Sequence, residues 1–362
     1  MQTAIKSPSD IAELSDDAIH AILTDALAKL LKHIDLPDAH MREVMLIIMQ
    51  GRCPDALMGA LLIALREKGE SIGEISTCAK TMLELADTIS IRDANAVDIV
   101  GTGGDGSNLF NVSTASAFVA AAAGVTIAKH GNRGVSTASG SSDVLTQAGV
   151  KLDIAINKTR QAIDDIGIGF LFAPNHHPAM RHAIGVRRQL KVRTIFNILG
   201  PLTNPAHVKR AVIGVFSPEL CEPLAYVFEK LGLHHVLVVH SADGLDEFSL
   251  ATATRVAELK DGQVRVYDCN PEDLGIASKT LHGLQVASSA ESLALIKKAL
   301  QAGDADATIQ KAREMIAINA GAAIYVAGLT STHQDGVQLA LEVLSSGKAW
   351  QKLSEFAAFT QS

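Results

Sequence analysis

Cysteine is scarce and scattered. The four residues Cys53, Cys78, Cys221 and Cys269 stand far apart, with no C-x-x-C spacing. That excludes a disulfide framework, argues against a thiolate metal site and fits reduced, structural thiols of the cytosol. Long apolar runs are missing too. The first residues carry no apolar signal core. The apolar stretch Ala117–Gly124 is far too short to span a bilayer. A cytoplasmic protein without membrane contact is expected. Positive charge is in deficit: 32 Lys and Arg against 39 Asp and Glu leave a net charge of −7, which excludes general attraction to nucleic acid. There is no internal repeat, no low-complexity tract and no G-x-x-x-x-G-K-S/T loop of a P-loop nucleotidase. What remains, 48% hydrophobic and 20% charged over 362 residues, is material for a well-cored protein of one large domain or two unequal ones.

What is abundant is glycine, in one place. Val97-Asp98-Ile99-Val100 leads into Gly101-Thr102-Gly103-Gly104-Asp105-Gly106, and Asn111-Val112-Ser113-Thr114 follows. A second loop runs Lys129-His130-Gly131-Asn132-Arg133-Gly134, and a third Ser139-Gly140-Ser141-Ser142-Asp143. Glycine loses the most entropy on folding, so four in six residues serve close backbone approach to an anion rather than stability. Gly101, Gly103 and Gly106 formally match the dinucleotide fingerprint G-x-G-x-x-G. Two features count against that reading. The next helix starts several residues after Gly106, and the second strand ends in Lys129-His130 rather than in an acid for a ribose hydroxyl. The three loops read better as one polyanion cradle. Gly101–Gly106 would supply backbone donors, and Asn111, Ser113 and Thr114 a helix N-terminus. Lys129 would add charge, with further donors at Asn132, Gly134, Ser136, Thr137 and Ser141.

Periodicity places these loops in a fold. Residues 9–90 read as helices, with Leu57, Leu61, Leu62 and Leu65 on one apolar face. The first strand falls at Val97–Val100, a helix at Asn111–Ala123 and the next strand at Val125–Ala128. Ala211–Phe216, a helix from Ser217 to Leu231 and the strand His235–Val239 form a right-handed βαβ unit. Arg255–Leu259 and Gln263–Tyr267 make a hairpin about Asp261-Gly262. From Ala307 to near Phe359 the chain is helical again. The expected architecture is α/β with a small all-helical N-terminal domain. Residues 1–95 form the helical domain, with 176–192 returning to it; 96–175 and 193–362 form the α/β catalytic domain.

Two more clusters carry chemistry. Asp243-Gly244-Leu245-Asp246-Glu247 follows a strand, where paired carboxylates suit a hard cation such as magnesium. Pro174-Asn175-His176-His177-Pro178 precedes Arg187-Arg188. The arginine pair suits a carboxylate, read against ordinary helix-surface arginines. Adjacent loop histidines rarely point the same way, so a structural or substrate-lining role is expected for them rather than metal ligation.

Taken in order, GTGGD, NxST, KHGNR and the SGS-D loop resemble the anthranilate phosphoribosyltransferase family, of nucleoside phosphorylase-like architecture. The resemblance continues through Phe172-Ala173-Pro174, His177–Met180, Val186–Arg188, Arg193–Asn197, Gly200–Pro205, Asp243–Glu247, Asn319-Ala320 and Gly347–Ala349. It implies transfer of the phosphoribosyl group of 5-phosphoribosyl 1-pyrophosphate to anthranilate with magnesium, two ions being expected, in the second step of tryptophan biosynthesis. It also implies a homodimer formed through the helical domain. By resemblance, Gly101, Gly104, Asp105, the backbone of Leu109, Asn111, Val112, Ser113 and Thr114 would hold the sugar phosphate. Lys129, His130, Gly131, Asn132, Arg133, Gly134, Val135, Ser136, Thr137 and Ser141 would complete that site. Ser113, Asp246 and Glu247 would take the metal. Gly101, Asn132 and Arg187 would meet anthranilate, with Arg187 on its carboxylate. No acid–base residue is implied, because an aryl amine is already unprotonated at neutral pH. Leu109 stands where the family commonly has threonine, Gly134 where alanine or serine is usual, and Ser142 where alanine is common. The alternatives are a pyrimidine nucleoside phosphorylase-like enzyme and a nucleic-acid-binding relative.

Overall fold

The computed structural model describes residues 7–103, 106–134, 139–303 and 306–362. The chain divides into two compact units, one comprising Met1–Thr88 with His176–Thr203, the other Ile89–Asn175 with Asn204–Ser362.

The first unit is helical. Its helices are Pro8–Ala12, Asp16–Leu30, Asp38–Met49, Asp55–Lys68 and Ile72–Glu84, joined by Arg181–Leu190 and Ile195–Leu202 from the returning segment. Capping residues mark the starts: Ser15 accepts from the Ala18 amide, and Ser71 and Glu74 cap each other's backbone across the first turn of Ile72–Glu84. Leu61, Leu62 and Leu65 are buried, as their spacing predicts. Glu74 is buried without being isolated. It receives hydrogen bonds from the Leu36 amide (2.9 Å) and the Ser71 amide (2.8 Å), and it pairs with Lys68 Nζ at 2.8 Å. The boundaries differ from the sequence reading. The helical unit ends at Thr88 rather than 95, and the return extends through Thr203 rather than 192. The reason is packing: Ile195–Leu202 lies against Ile72–Glu84 and Asp55–Lys68.

The second unit is built on a seven-stranded sheet. In chain order the strands are β1 (Val97–Gly101), β2 (Ile127–Gly131), β3 (Ile168–Phe172), β4 (Arg210–Gly214), β5 (His235–Ser241), β6 (Thr254–Lys260) and β7 (Gln263–Cys269). Their spatial order is β3-β2-β1-β4-β5-β6-β7. The five strands β3 to β5 in that order pair in parallel, and β6 and β7 add antiparallel. Strand order reverses between β1 and β4, which is where open α/β sheets bind ligands. β2 begins at Ile127, two residues later than expected. Val125 is spent leaving the preceding helix, its amide bonded to Ala120 O at 3.0 Å. The hairpin forms as read: Lys260 pairs with Gln263, and Asp261 (φ 51°) and Gly262 (φ 75°) both adopt the left-handed conformation of a type I′ turn.

Helices cover this sheet, among them Val112–Ala122 and the long Ala307–Ala327. The latter crosses His333–Ser346 at glycine: a Cβ on Gly336 would sit 2.3 Å from Gly321 O. Away from the loops, Glu258 on β6 is 8% exposed yet fully engaged, with His235 Nε2 at 2.9 Å, Tyr325 OH donating at 2.8 Å and Tyr267 OH at 3.3 Å. The four thiols are free and buried, and burial pushes Cys53, Cys221 and Cys269 up to about 12. Among the described residues no helix is long and apolar enough to cross a membrane.

Candidate active site

The site grows from the carboxyl ends of β1 and β4. Gly101 and Gly214 end these strands side by side, in register. Over them lies the acid loop after β5. A Cβ on Gly214 would fall 1.6 Å from Asp246 O, and one on Gly101 would fall 2.3 Å from Asp246 Oδ2. Two hydrogen atoms therefore make the floor on which Asp246 rests. Sequence reading assigned Gly101 to substrate and passed over Gly214. Its only local signal was a glycine closing a buried strand.

The acids reach back to the phosphate-type donors. The Gly103 amide donates to Asp246 Oδ2 at 2.7 Å, and the Ser113 amide to Glu247 Oε1 at 3.0 Å. Ser113 lies in the first turn of Val112–Ala122, where free N–H groups and the helix dipole favour negative charge. Asp243 has another job. It accepts from the Ser241 and Ser249 hydroxyls, the latter at 2.6 Å, and so shapes the turn. Among the described residues, the buried hydroxyls of Thr102 and Thr114 have no hydrogen-bond partner.

Lys129, 4% exposed, crosses beneath. Its Nζ donates to Ile99 O and lies 3.4 Å from Ser113 Oγ. Burial pushes its pKa down, against the opposing pull of Asp98, Glu247 and Asp246. Asp98 is the residue behind it that sequence reading left without a role. It accepts from the His130 amide at 3.0 Å and from Asn204 Nδ2 at 2.8 Å, and burial raises it to about 6 although Lys129, Asn204 and the His130 amide pull it down.

The second and third loops are drawn together. Asn132 O accepts from Ser141 Oγ at 3.3 Å, and Asp143 Oδ2 accepts from the amides of Gly134 (3.1 Å) and Gly140 (3.0 Å). A Cβ on Gly140 would lie 2.0 Å from Gly134 N, so only glycine permits this approach. Gly131 is equally tight, its Cβ position being 2.7 Å from the Phe170 ring and from Ser141 Oγ. Asn111 heads the helix, but its side chain does not cap it; Nδ2 donates to Ser139 O at 3.0 Å and ties the first loop to the third.

The remaining motif residues are placed as follows. Val112 is fully buried in the core, and its amide goes to Phe110 O at 2.6 Å. Leu109 packs its side chain on the core and bridges Gln285. The ring of His130 is buried, Arg133 lies over the Phe172 ring at 5.9 Å, and Ser142 is buried at 1% exposure. Gly104, Asp105, Val135, Ser136 and Thr137 lie outside the described residues. In the helical unit, the half-buried Arg187 guanidinium sits 5.5 Å over the Phe196 ring, with no carboxylate paired to it among the described residues; burial lowers its pKa. His176 Nδ1 and His177 Nε2 serve the backbone, at 2.7 Å from Asp87 O and 3.0 Å from Thr203 O. Burial pushes His177 down to about 4, so the ring is neutral at pH 7.

Whether magnesium fits can be judged from the donors. Among the described residues no three His, Cys, Asp or Glu side chains converge. Two half-buried carboxylates and the Ser113 hydroxyl are hard oxygen donors, and magnesium is commonly held by one or two carboxylates with substrate phosphate and water completing the shell. The residues fit.

Comparison with known proteins agrees with this layout. A family model described as "Glycosyl transferase family, a/b domain" matches residues 93–350, and one described as "Glycosyl transferase family, helical bundle domain" matches 24–86. An anthranilate phosphoribosyltransferase of a Psychrobacter species is 63% identical over 97% of this chain and 97% of its own length. The chain belongs to the anthranilate phosphoribosyltransferase family. As a member it is a glycosyltransferase-type enzyme. The anthranilate phosphoribosyltransferase of Acinetobacter baumannii is 56% identical over 94% of this chain and 97% of its own. Among solved structures of anthranilate phosphoribosyltransferases, that from Thermus thermophilus matches with a TM-score of 0.87 at 42% identity, covering 93% of this chain and all of that one. The Saccharomyces cerevisiae enzyme, solved in complex with PRPP and Mg, matches with a TM-score of 0.85 at 26% identity, covering 94% of this chain and 98% of that one.

Proposed function

We propose that this chain transfers the phosphoribosyl group of 5-phosphoribosyl 1-pyrophosphate to anthranilate, releasing pyrophosphate and forming N-(5-phosphoribosyl)anthranilate for tryptophan biosynthesis, with the roles divided as follows. The seating of Asp246 and Glu247 over Gly101 and Gly214, in contact with the Gly103 and Ser113 amides, carries the reading. It brings metal-type acids and phosphate-type donors to one point at the strand switch. The amides of the first loop and of the helix start, with Lys129, take the developing charge of the leaving pyrophosphate. Asp246, Glu247 and Ser113 hold magnesium, which neutralises pyrophosphate charge as a Lewis acid when bound; two ions are proposed. Arg187 takes the anthranilate carboxylate, and Asn132 helps orient the amine toward the anomeric carbon. The amine needs no base to act as nucleophile.

We also place the enzyme in the cytoplasm as a homodimer joined through its helical unit. Its buried, unbridged thiols support the first. Support for the second comes from Leu31 and Ile34, 68% and 50% exposed in that unit. The activity is tested by following anthranilate fluorescence after mixing with PRPP and magnesium. Loss of fluorescence that needs all three components is expected. A flat trace, or release of base from a nucleoside with inorganic phosphate instead, refutes the reading.

A further inference from the structure

The acid loop continues from Glu247 into Phe248, and Phe248 is gripped from a distant helix. Asn319 lies within Ala307–Ala327 and is 3% exposed. Its Oδ1 accepts from the Phe248 amide at 3.0 Å. Its Nδ2 donates to Phe248 O at 2.9 Å and to Met315 O at 3.0 Å. One side chain thus takes both polar groups of a single residue. The Phe248 ring is 1% exposed, with the His333 ring centroid 4.7 Å away.

This arrangement is costly unless it is specific. Met315, Ile316, Ala317, Ile318 and Ala320 surround Asn319 in sequence and are buried. An amide among them must satisfy every polar atom or lose stability, and asparagine is a poor helix former. Here two of its three bonds go to the residue directly after Glu247. The backbone of Phe248 has little freedom left, and Glu247 is one peptide away. From the other side, the Gly101–Gly214 floor meets Asp246. The two acids lie between these holds.

We infer that Asn319 is a positioning residue for the magnesium-binding acids, fixing Asp246 and Glu247 through the Phe248 peptide. This rests on the assignment of those acids as metal ligands. The test uses the full chain and measures the magnesium concentration that gives half-maximal activity at saturating PRPP and anthranilate, with a thermal melt for every variant. For Asn319→Ala the half-point rises about tenfold or more, the usual cost of losing a residue that orients a metal ligand. The KM for anthranilate stays within about twofold, because ground-state binding of the acceptor is untouched. Glu74→Gln, which weakens the buried Lys68 pair in the helical unit, lowers the melting temperature without moving the half-point. Should Asn319→Ala not fold, Asn319→Asp is read in the same assay: it keeps the acceptor for the Phe248 amide and sets an oxygen against two carbonyls. A magnesium half-point equal to the parent's in the folded Asn319 variant, with Asp246→Asn raising it, overturns the inference and leaves the metal assignment standing. An unchanged half-point in Asp246→Asn as well overturns both.

Discussion

Gly214→Ala adds one methyl group where the acid loop crosses the sheet. Its Cβ would lie 1.6 Å from Asp246 O, whereas real Cβ contacts stay beyond 3.0 Å. Something must therefore move by about 1.4 Å, the difference of those two distances. The strand is poorly placed to yield, since β4 is hydrogen-bonded to β1 on one side and β5 on the other. The acid loop lies across it and moves instead, carrying Asp246 away from the Gly103 amide. Overpacking of this kind costs about 1–3 kcal/mol of stability, which a protein of this size tolerates. Displacing a reacting group by an ångström costs about 100-fold in rate. The expected variant is folded and slow: kcat falls about 100-fold, the magnesium half-point rises, and excess magnesium restores part of the rate. Stopped-flow loss of anthranilate fluorescence across a magnesium series, beside a thermal melt, checks this. Parental kcat and magnesium dependence in a folded Gly214→Ala protein would show that the glycine floor has no role in placing Asp246.

Further outcomes follow from the same geometry. Arg187→Ala raises the KM for anthranilate far more than that for PRPP, by about 10- to 100-fold for a lost charged hydrogen bond; equal effects on both in steady-state kinetics refute the carboxylate role. Asp246→Asn with Glu247→Gln abolishes most magnesium-dependent turnover; an unchanged magnesium titration contradicts their assignment. Stability depends on pH through two buried histidines. Burial pushes His177 and His333 from 6.5 down to about 4, so the folded state resists their protonation while the unfolded chain accepts it. Their contribution is present above about pH 6.5 and is lost as pH falls toward 4, on the order of 3 kcal/mol for each. His333→Gln flattens that part of a denaturant-melt series against pH, and a slope identical to the parent's removes His333 from the account.

Much of this was legible in the chain because it is local. Gly101–Gly106, the helix start at Asn111–Thr114 and the Asp246-Glu247 pair announce themselves by residue type, and the hairpin by two residues able to take positive φ. What escaped reading depends on pairings distant in sequence. Gly214 matters only because β1 and β4 end in register beneath the acid loop. Asp98 looks like an oddity inside a strand until Asn204 and the His130 amide arrive. The Val112 side chain, inside the Asn111–Thr114 motif, turns into the core, since side chains around a helix's first turn point in different directions. The return to the helical unit runs past 192 because packing on Ile72–Glu84, invisible in periodicity, draws in Ile195–Leu202.

The Gly103 and Ser113 amides already hold oxygens, and those oxygens belong to Asp246 and Glu247. On the proposed assignment, an incoming pyrophosphate would meet an internal rival for the same donors, and its binding would exchange one anion for another. Without a cation to receive the displaced acids, that exchange strands two negative charges beside more negative charge. Were the acids to turn toward a cation, the donors would be released and the rivals would become partners. Thermodynamic reciprocity then requires that whatever factor the metal lends to sugar-diphosphate affinity, the sugar diphosphate lends back to the metal. On the proposed assignment the two ligands would act as an interlock, each raising the affinity for the other by the same factor.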